Sequence, residues 1–234
     1  MRILGVDCAT KPKNTGLCCV LDHRIEHAET GDGSVAERLA AWIEPGTPTL
    51  LAFDAPLGWP SALAPALVDH RAGDPLRPEA NELFHRLTDD EIQERLGKRP
   101  LEVGADLIAR TAREALSVLQ ELRDRTGLSI PLGWEGAPAD VAVIEVYPAA
   151  TLQAHGFRSS GYKGGRGRPV RESILDDFDV GPHREALAAN ADVFDAWLCT
   201  LAGRDFLEGR CVPPNDAQRE RALIEGWIWV RSTD

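Results

Sequence analysis

Apolar positions in the first part of the chain come in short runs broken by turn formers. Arg2-Ile-Leu-Gly-Val-Asp7, Gly16-Leu-Cys-Cys-Val-Leu21 and Arg24-Ile-Glu-His-Ala-Glu29 read as three strands, joined by turns at Lys11-Pro-Lys-Asn14 and Asp22-His23. Ser34-Val-Ala-Glu37 is a capping-box pattern, and Val35, Leu39 and Trp42 or Ile43 follow at helical spacing until Pro45-Gly46 ends the segment. Thr49-Leu-Leu-Ala-Phe-Asp54 is a continuous apolar run closed by an acid and Pro56, the mark of a buried strand. The predicted order is therefore β-β-β-α-β.

From about residue 61 to 136 the period becomes helical. Thr88-Asp-Asp-Glu91 is a second capping-box pattern with Gly97 as its stop, and Leu107, Ile108, Thr111, Ala115, Leu119 and Leu122 form one stripe. We read this stretch as a helical insertion packed on the core. Val141-Ala-Val-Ile-Glu-Val-Tyr147 returns to β-branched and aromatic residues before Pro148 and predicts a fifth, central strand. A Gly- and Arg-rich loop over Ser159 to Arg168 comes next, then a helix near Val170–Phe178 and a longer helical segment ending near Leu207. Glu225-Gly-Trp-Ile-Trp-Val230 reads as a last short strand or an apolar strap. With no repeats, the expectation is one α/β domain over residues 1–234, with five strands and a helical insertion between the fourth and the fifth.

Composition adds limits. In 234 residues, 43% apolar, there is enough for one sizeable core, and 26 basic against 37 acidic residues give a net charge of −11. A broad cationic surface is thereby excluded, so any nucleic-acid contact has to be local. No run approaches the roughly 20 apolar residues of a membrane span and no signal-peptide layout opens the chain, which predicts a cytoplasmic protein without membrane contact. The 5 cysteines lack any Cys-x-x-Cys pair and read as small buried hydrophobes.

The chemistry lies in the carboxylates. Asp7, Asp54 and Glu145 each end or nearly end an apolar strand, where an acid must be solvated, paired or bound to a cation. Asp192-Val-Phe-Asp195 places two more acids on one helical face. Carboxylates gathered without His or Cys favour Mg²⁺ or Mn²⁺ over zinc, and two such ions about 3.5–4 Å apart suit phosphodiester hydrolysis.

Gly5-Val-Asp7-Cys-Ala, Phe53-Asp54-Ala-Pro-Leu-Gly58, Arg86-Leu-Thr-Asp89, Ile144-Glu145-Val-Tyr-Pro148 and Asp192-Val-Phe-Asp195-Ala196, in that order, resemble the DUF429 family of predicted RNase H-like nucleases. The resemblance implies an RNase H-like α/β fold, a mixed five-stranded sheet whose first three strands are antiparallel, flanked by helices on both faces. Asp192-x-x-Asp195-Ala196 is also similar to the closing helix of RuvC-type Holliday-junction resolvases. By that likeness Asp7 bridges two ions, Asp54 or Glu145 supplies the partner carboxylate, and Asp195, helped by Asp192, completes the site. Arg86 either pairs with Asp89 on the surface or, by the family likeness, reaches the site and grips a phosphate or carboxylate.

Tyr162-Lys-Gly-Gly-Arg-Gly-Arg168 is the one basic loop, and Lys163, Arg166 and Arg168 are its candidate phosphate contacts. Trp59, just after the Asp54 loop, is a candidate base-stacking residue, whereas the other tryptophans read as core. The favoured function is a metal-dependent phosphodiester hydrolase acting on a short or structured nucleic acid or another compact phosphodiester. Two alternatives stand beside it. One is an actin-like ATP-dependent phosphotransferase, from Gly5-Val-Asp7 followed by Thr15-Gly16, and the other a non-catalytic module whose acidic pocket binds a metal or ligand.

Overall fold

The computed structural model describes residues 1–104 and 106–233. Strands β1 (Arg2–Asp7), β2 (Gly16–Leu21) and β3 (Arg24–Thr30) form the expected antiparallel meander. Helix α1 (Val35–Trp42) starts where Ser34 Oγ accepts the Glu37 amide, and β4 (Thr49–Asp54) then pairs with β1 in parallel. The insertion contributes α2 (Leu63–Leu67), α3 (Ala80–Phe84), α4 (Leu87–Leu96) and α5 (Asp106–Thr126), before β5 (Val141–Glu145) joins β4, again in parallel. The sheet order is β3-β2-β1-β4-β5. After β5 come α6 (Pro148–Ala154), α7 (Arg168–Leu175), α8 (Arg184–Ala189), α9 (Ala191–Leu207) and α10 (Asp216–Glu225).

Strand alternation divides the interior between the two sheet faces. Leu4, Val6, Leu17, Leu51 and Val143 pack against α1 and against Ala115, Leu119 and Leu122 of α5. On the other face, Cys18, Leu50, Ala52 and Ile144 lie in the cores built around α9. The adjacent Cys18 and Cys19 thus fall on opposite faces, and no cysteine among the described residues is in a disulfide.

Several expected boundaries move. The fifth strand ends at Glu145 because Pro148 already occupies the first turn of α6. Helix α4 begins before Thr88: Asp89 accepts the Arg86 amide, and Thr88 Oγ1 instead accepts the Ile228 amide. The segment leading to Leu207 is two helices, because Asn190 ends α8 and its side chain caps α9 through the Asp192 and Val193 amides. Leu107 faces solvent, while Ile108 and Thr111 of the same stripe turn toward the C-terminal ends of the strands. Glu225–Val230 runs as a strap held to the sheet by a single bridge at Glu145 and Ile228, with Trp227 and Trp229 buried.

Helix α9 lies on the sheet backbone to backbone. A Cβ placed on Gly5 would sit 2.0 Å from the Ala196 carbonyl oxygen, and one on Gly16 would sit 1.9 Å from that of Asp192. Only glycine permits this approach. Gly16→Ala is expected to destabilise the protein by about 1–3 kcal/mol, the usual cost of overpacking, because the start of α9 must shift. Denaturant unfolding of the variant checks it.

Candidate metal centre

Parallel pairing sets Asp7 at the end of β1 directly opposite Asp54 at the end of β4. Asp195 reaches them from the second turn of α9, with only 1% of its surface exposed. One carboxylate oxygen from each of Asp7, Asp54 and Asp195 lies within 4.8 Å of the others. Two acids on neighbouring strand ends and one on a helix clamped to that sheet therefore converge on a single point.

Charges this close repel. Burial raises the Asp7 pKa well above the usual carboxylate range, with Asp54 and Asp195 adding to it and Lys163 opposing. Asp54 is pushed up to about 7, chiefly by burial, with Asp195 and Glu145 adding and Lys163 pulling the other way. Asp195 is also raised by burial, although Lys163 works against it. The relieving cation is the Lys163 ammonium, 2.7 Å from Asp195 Oδ2 and 5.7 Å from the centre of the Tyr162 ring. Burial disfavours that charge, but Asp195 and Asp54 outweigh it and hold the lysine above its ordinary pKa.

The arrangement leaves one coordination demand open. Asp195 Oδ1 and the Tyr162 hydroxyl are both buried and form no well-aligned hydrogen bond, although they lie close enough for the hydroxyl to favour the ionised Asp195. Buried carboxylates gathered without a full set of donors fit a hard divalent cation, which prefers oxygen ligands. Asp192 stands apart, half-buried in the first turn of α9, and acts on Asp7 through its charge.

Glu145 follows a different course. Its Oε1 accepts Arg86 Nη2 at 2.8 Å, and its Oε2 accepts Arg86 Nη1 and the Leu57 amide, both at 2.9 Å. Arg86, 1% exposed, also donates through Nε and Nη2 to Asp89 and through Nη1 to the Glu225 carbonyl. All the guanidinium N–H groups are thus engaged within the protein: Arg86 is buried, grips the carboxylates of Glu145 and Asp89, and keeps no donor for a phosphate. Glu225 extends the network, its carboxylate accepting the Ser61 and Leu87 amides and Arg221. The insertion, β5 and the end of α10 are joined here.

Of the basic loop, Lys163 reaches the carboxylates. Arg166 lies on an exposed turn over Gly165–Gly167, and Arg168 pairs with Glu172 and Glu185. Trp59 is half-buried and does not line the cavity over the carboxylates. Sequence reasoning passed over Tyr147. Glu145 and Tyr147 alternate onto one side of an extended segment, a spacing that points to it. Burial raises the Tyr147 pKa, Asp54 raises it further, and its hydroxyl makes no hydrogen bond among the described residues.

The cavity over the carboxylates holds about 300 Å³. A larger one, about 460 Å³, opens by Ile3, Val20 and Trp197 toward the other end of β1, and its acids Asp22, Asp179 and Glu208 do not converge as a metal-holding group among the described residues. The candidate metal-binding acids Asp7 and Asp54 line the smaller. No described helix is long and apolar enough to cross a membrane. Residues 5–219 match the family model described as "Protein of unknown function (DUF429)". Neither the curated proteins nor the solved structures contain a significant match.

Proposed function

The chain belongs to the DUF429 family, and on that footing we propose that it is a divalent-metal-dependent phosphodiester hydrolase in which Asp7, Asp54 and Asp195 hold Mg²⁺ or Mn²⁺. The observation that carries this reading is the convergence of the three carboxylates on one point. A divalent ion bound there supplies Lewis acidity, making water a better nucleophile and offsetting charge on phosphoryl oxygens. Asp192 is the further acid near Asp7 for a second ion.

The chain's own groups do the rest. Lys163 offsets carboxylate charge and presents an ammonium where a phosphate enters. Tyr147 offers a free hydroxyl proton beside Asp54. Glu145, fixed by Arg86, anchors the Leu57 amide and so holds the loop after Asp54. The ATP-dependent alternative draws no support from the β1–β2 hairpin, because the space beside Gly16 is filled by the Asp192 backbone and gives a phosphate no cradle.

The test mixes the protein with Mn²⁺ and labelled single-stranded, duplex and branched DNA and RNA, together with small chromogenic phosphodiesters, and measures ion binding by calorimetry. Cleavage of at least one substrate with Mn²⁺ binding is expected; absence of both overturns the reading.

Stability should report on the same site. Asp54 moves from an ordinary 3.8 to about 7 on folding, so between these values the folded chain keeps a proton that the unfolded chain releases. This acid's contribution to stability therefore falls as pH rises from 3.8 to 7 and stays low above. Metal-free protein is expected to melt several degrees lower at pH 8 than at pH 5, at about 2–4 °C per kcal/mol, and Mn²⁺ should narrow the gap. Scanning calorimetry at the two pH values, with and without Mn²⁺, measures it.

A further inference from the structure

The walls of the carboxylate cavity differ in character from its floor. Pro100 and Leu101, just before α5, and Ile108 on α5 bring apolar surface from the insertion, while Pro56, Tyr147 and Ile228 add more from the sheet side. Leu101 is 68% exposed at this rim, a large apolar side chain left in water beside an acidic site. Only Arg86 and Lys163 among the lining residues are cationic, and the donors of Arg86 are all spent on Glu145, Asp89 and Glu225. One available cation therefore faces the cavity.

Polyanions are held otherwise. Proteins that grip duplexes do so with on the order of 6–10 phosphate contacts from Lys and Arg, whereas this chain carries a net charge of −11 and lines the cavity with two cations, Arg86 and Lys163. A volume of about 300 Å³ lies at the small end of ligand pockets. Apolar walls and an aromatic ring around one cation and a carboxylate floor suit a flat group attached to a single phosphate.

Resting on the hydrolase reading, we propose that the substrate is a small phosphodiester bearing one nucleoside-sized planar group, seated against Tyr147 and the Leu101–Ile108 rim with its phosphate at Lys163. The insertion thus selects substrate size and excludes duplexes. The reaction balances with water alone. Its oxygen bonds to phosphorus, the ester P–O bond breaks, and the departing oxygen takes a proton, giving an alcohol and a phosphomonoester.

The experiment measures binding and turnover separately. With Ca²⁺ present to limit turnover, calorimetry compares thymidine p-nitrophenyl phosphate, methyl p-nitrophenyl phosphate and a short DNA duplex; Mn²⁺ then replaces Ca²⁺ for rates. The thymidine ester is expected to bind at least about tenfold more tightly than the methyl ester, as one stacked base allows, and more tightly than the duplex. Leu101→Trp and Ile108→Trp should each fill the pocket and weaken the thymidine ester by about tenfold, with Mn²⁺ affinity by paramagnetic resonance unchanged. Leu101 is exposed, so that variant folds. Tighter duplex binding, or thymidine-ester affinity untouched in both variants, overturns the proposal. Selective thymidine-ester binding without turnover upholds the pocket while refuting hydrolysis.

Discussion

Asp7→Asn is expected to lower metal-dependent hydrolysis by on the order of 10³-fold while making the metal-free protein harder to melt. The loss corresponds to about 4 kcal/mol of transition-state stabilisation, within what a bound divalent ion contributes. The gain follows from the same geometry. Asp7 makes no side-chain hydrogen bond among the described residues, and its buried charge is opposed by Asp54 and Asp195. Neutralising it removes repulsion at no cost in partners. Relief of only about 1 kcal/mol would raise the melting temperature by about 2–4 °C in a chain of this length. Paired melting curves and Mn²⁺ calorimetry on wild type and variant test the two halves together. A variant that loses activity and also melts earlier would mean that Asp7 is a structural acid.

Arg86→Met should produce the largest loss of stability. It strips both Glu145 and Asp89 of their cation in a place that solvent does not reach, and it frees the Glu225 carbonyl. Breaking a buried pair by removing one partner costs about 3–5 kcal/mol, which corresponds to a fall of roughly 6–20 °C in melting temperature. The double variant Arg86→Met, Glu145→Gln should recover part of this, because one stranded carboxylate is gone. Denaturant titration of the two variants measures the recovery. If Arg86→Met instead melts normally yet loses activity, the guanidinium serves the substrate and the structural assignment fails.

The strand ends were the legible part of the site. Apolar runs that stop at Asp7 and Asp54 announce buried strands with acids at their mouths, and the i,i+3 pair on α9 announces a helical face that carries a third. What the runs do not disclose is where each carboxylate turns. Glu145 has the same sequence context as Asp54, but an arginine 59 positions earlier, in an element of another period, claims it. That pairing is purely tertiary. Helix α10 escaped notice for a different reason. Its sequence, Asp-Ala-Gln-Arg-Glu-Arg-Ala-Leu-Ile-Glu, buries only Ala222 and Glu225 and leaves Leu223 and Ile224 in solvent, so it shows no apolar stripe of helical period. The overall order of strands was readable because alternation and turn chemistry are local, and so was the insertion as a change of period. The division of α8 from α9 rested on Asn190 acting as a cap, a role its position before Asp192 allows but does not require.

The contact of Gly5 and Gly16 with α9 also bears on when the site comes into being. Residues near the two ends of the chain must meet there, and bringing distant segments together carries a loop-closure cost that slows such contacts. During synthesis β1 and β2 can pair as soon as they emerge, but a chain released before residue 191 has no α9 to seat on them. Asp7 and Asp54 then stand without Asp195. A prematurely terminated product therefore carries an incomplete ligand set, and the hydrolytic centre proposed above is assembled only in a chain whose synthesis is almost finished.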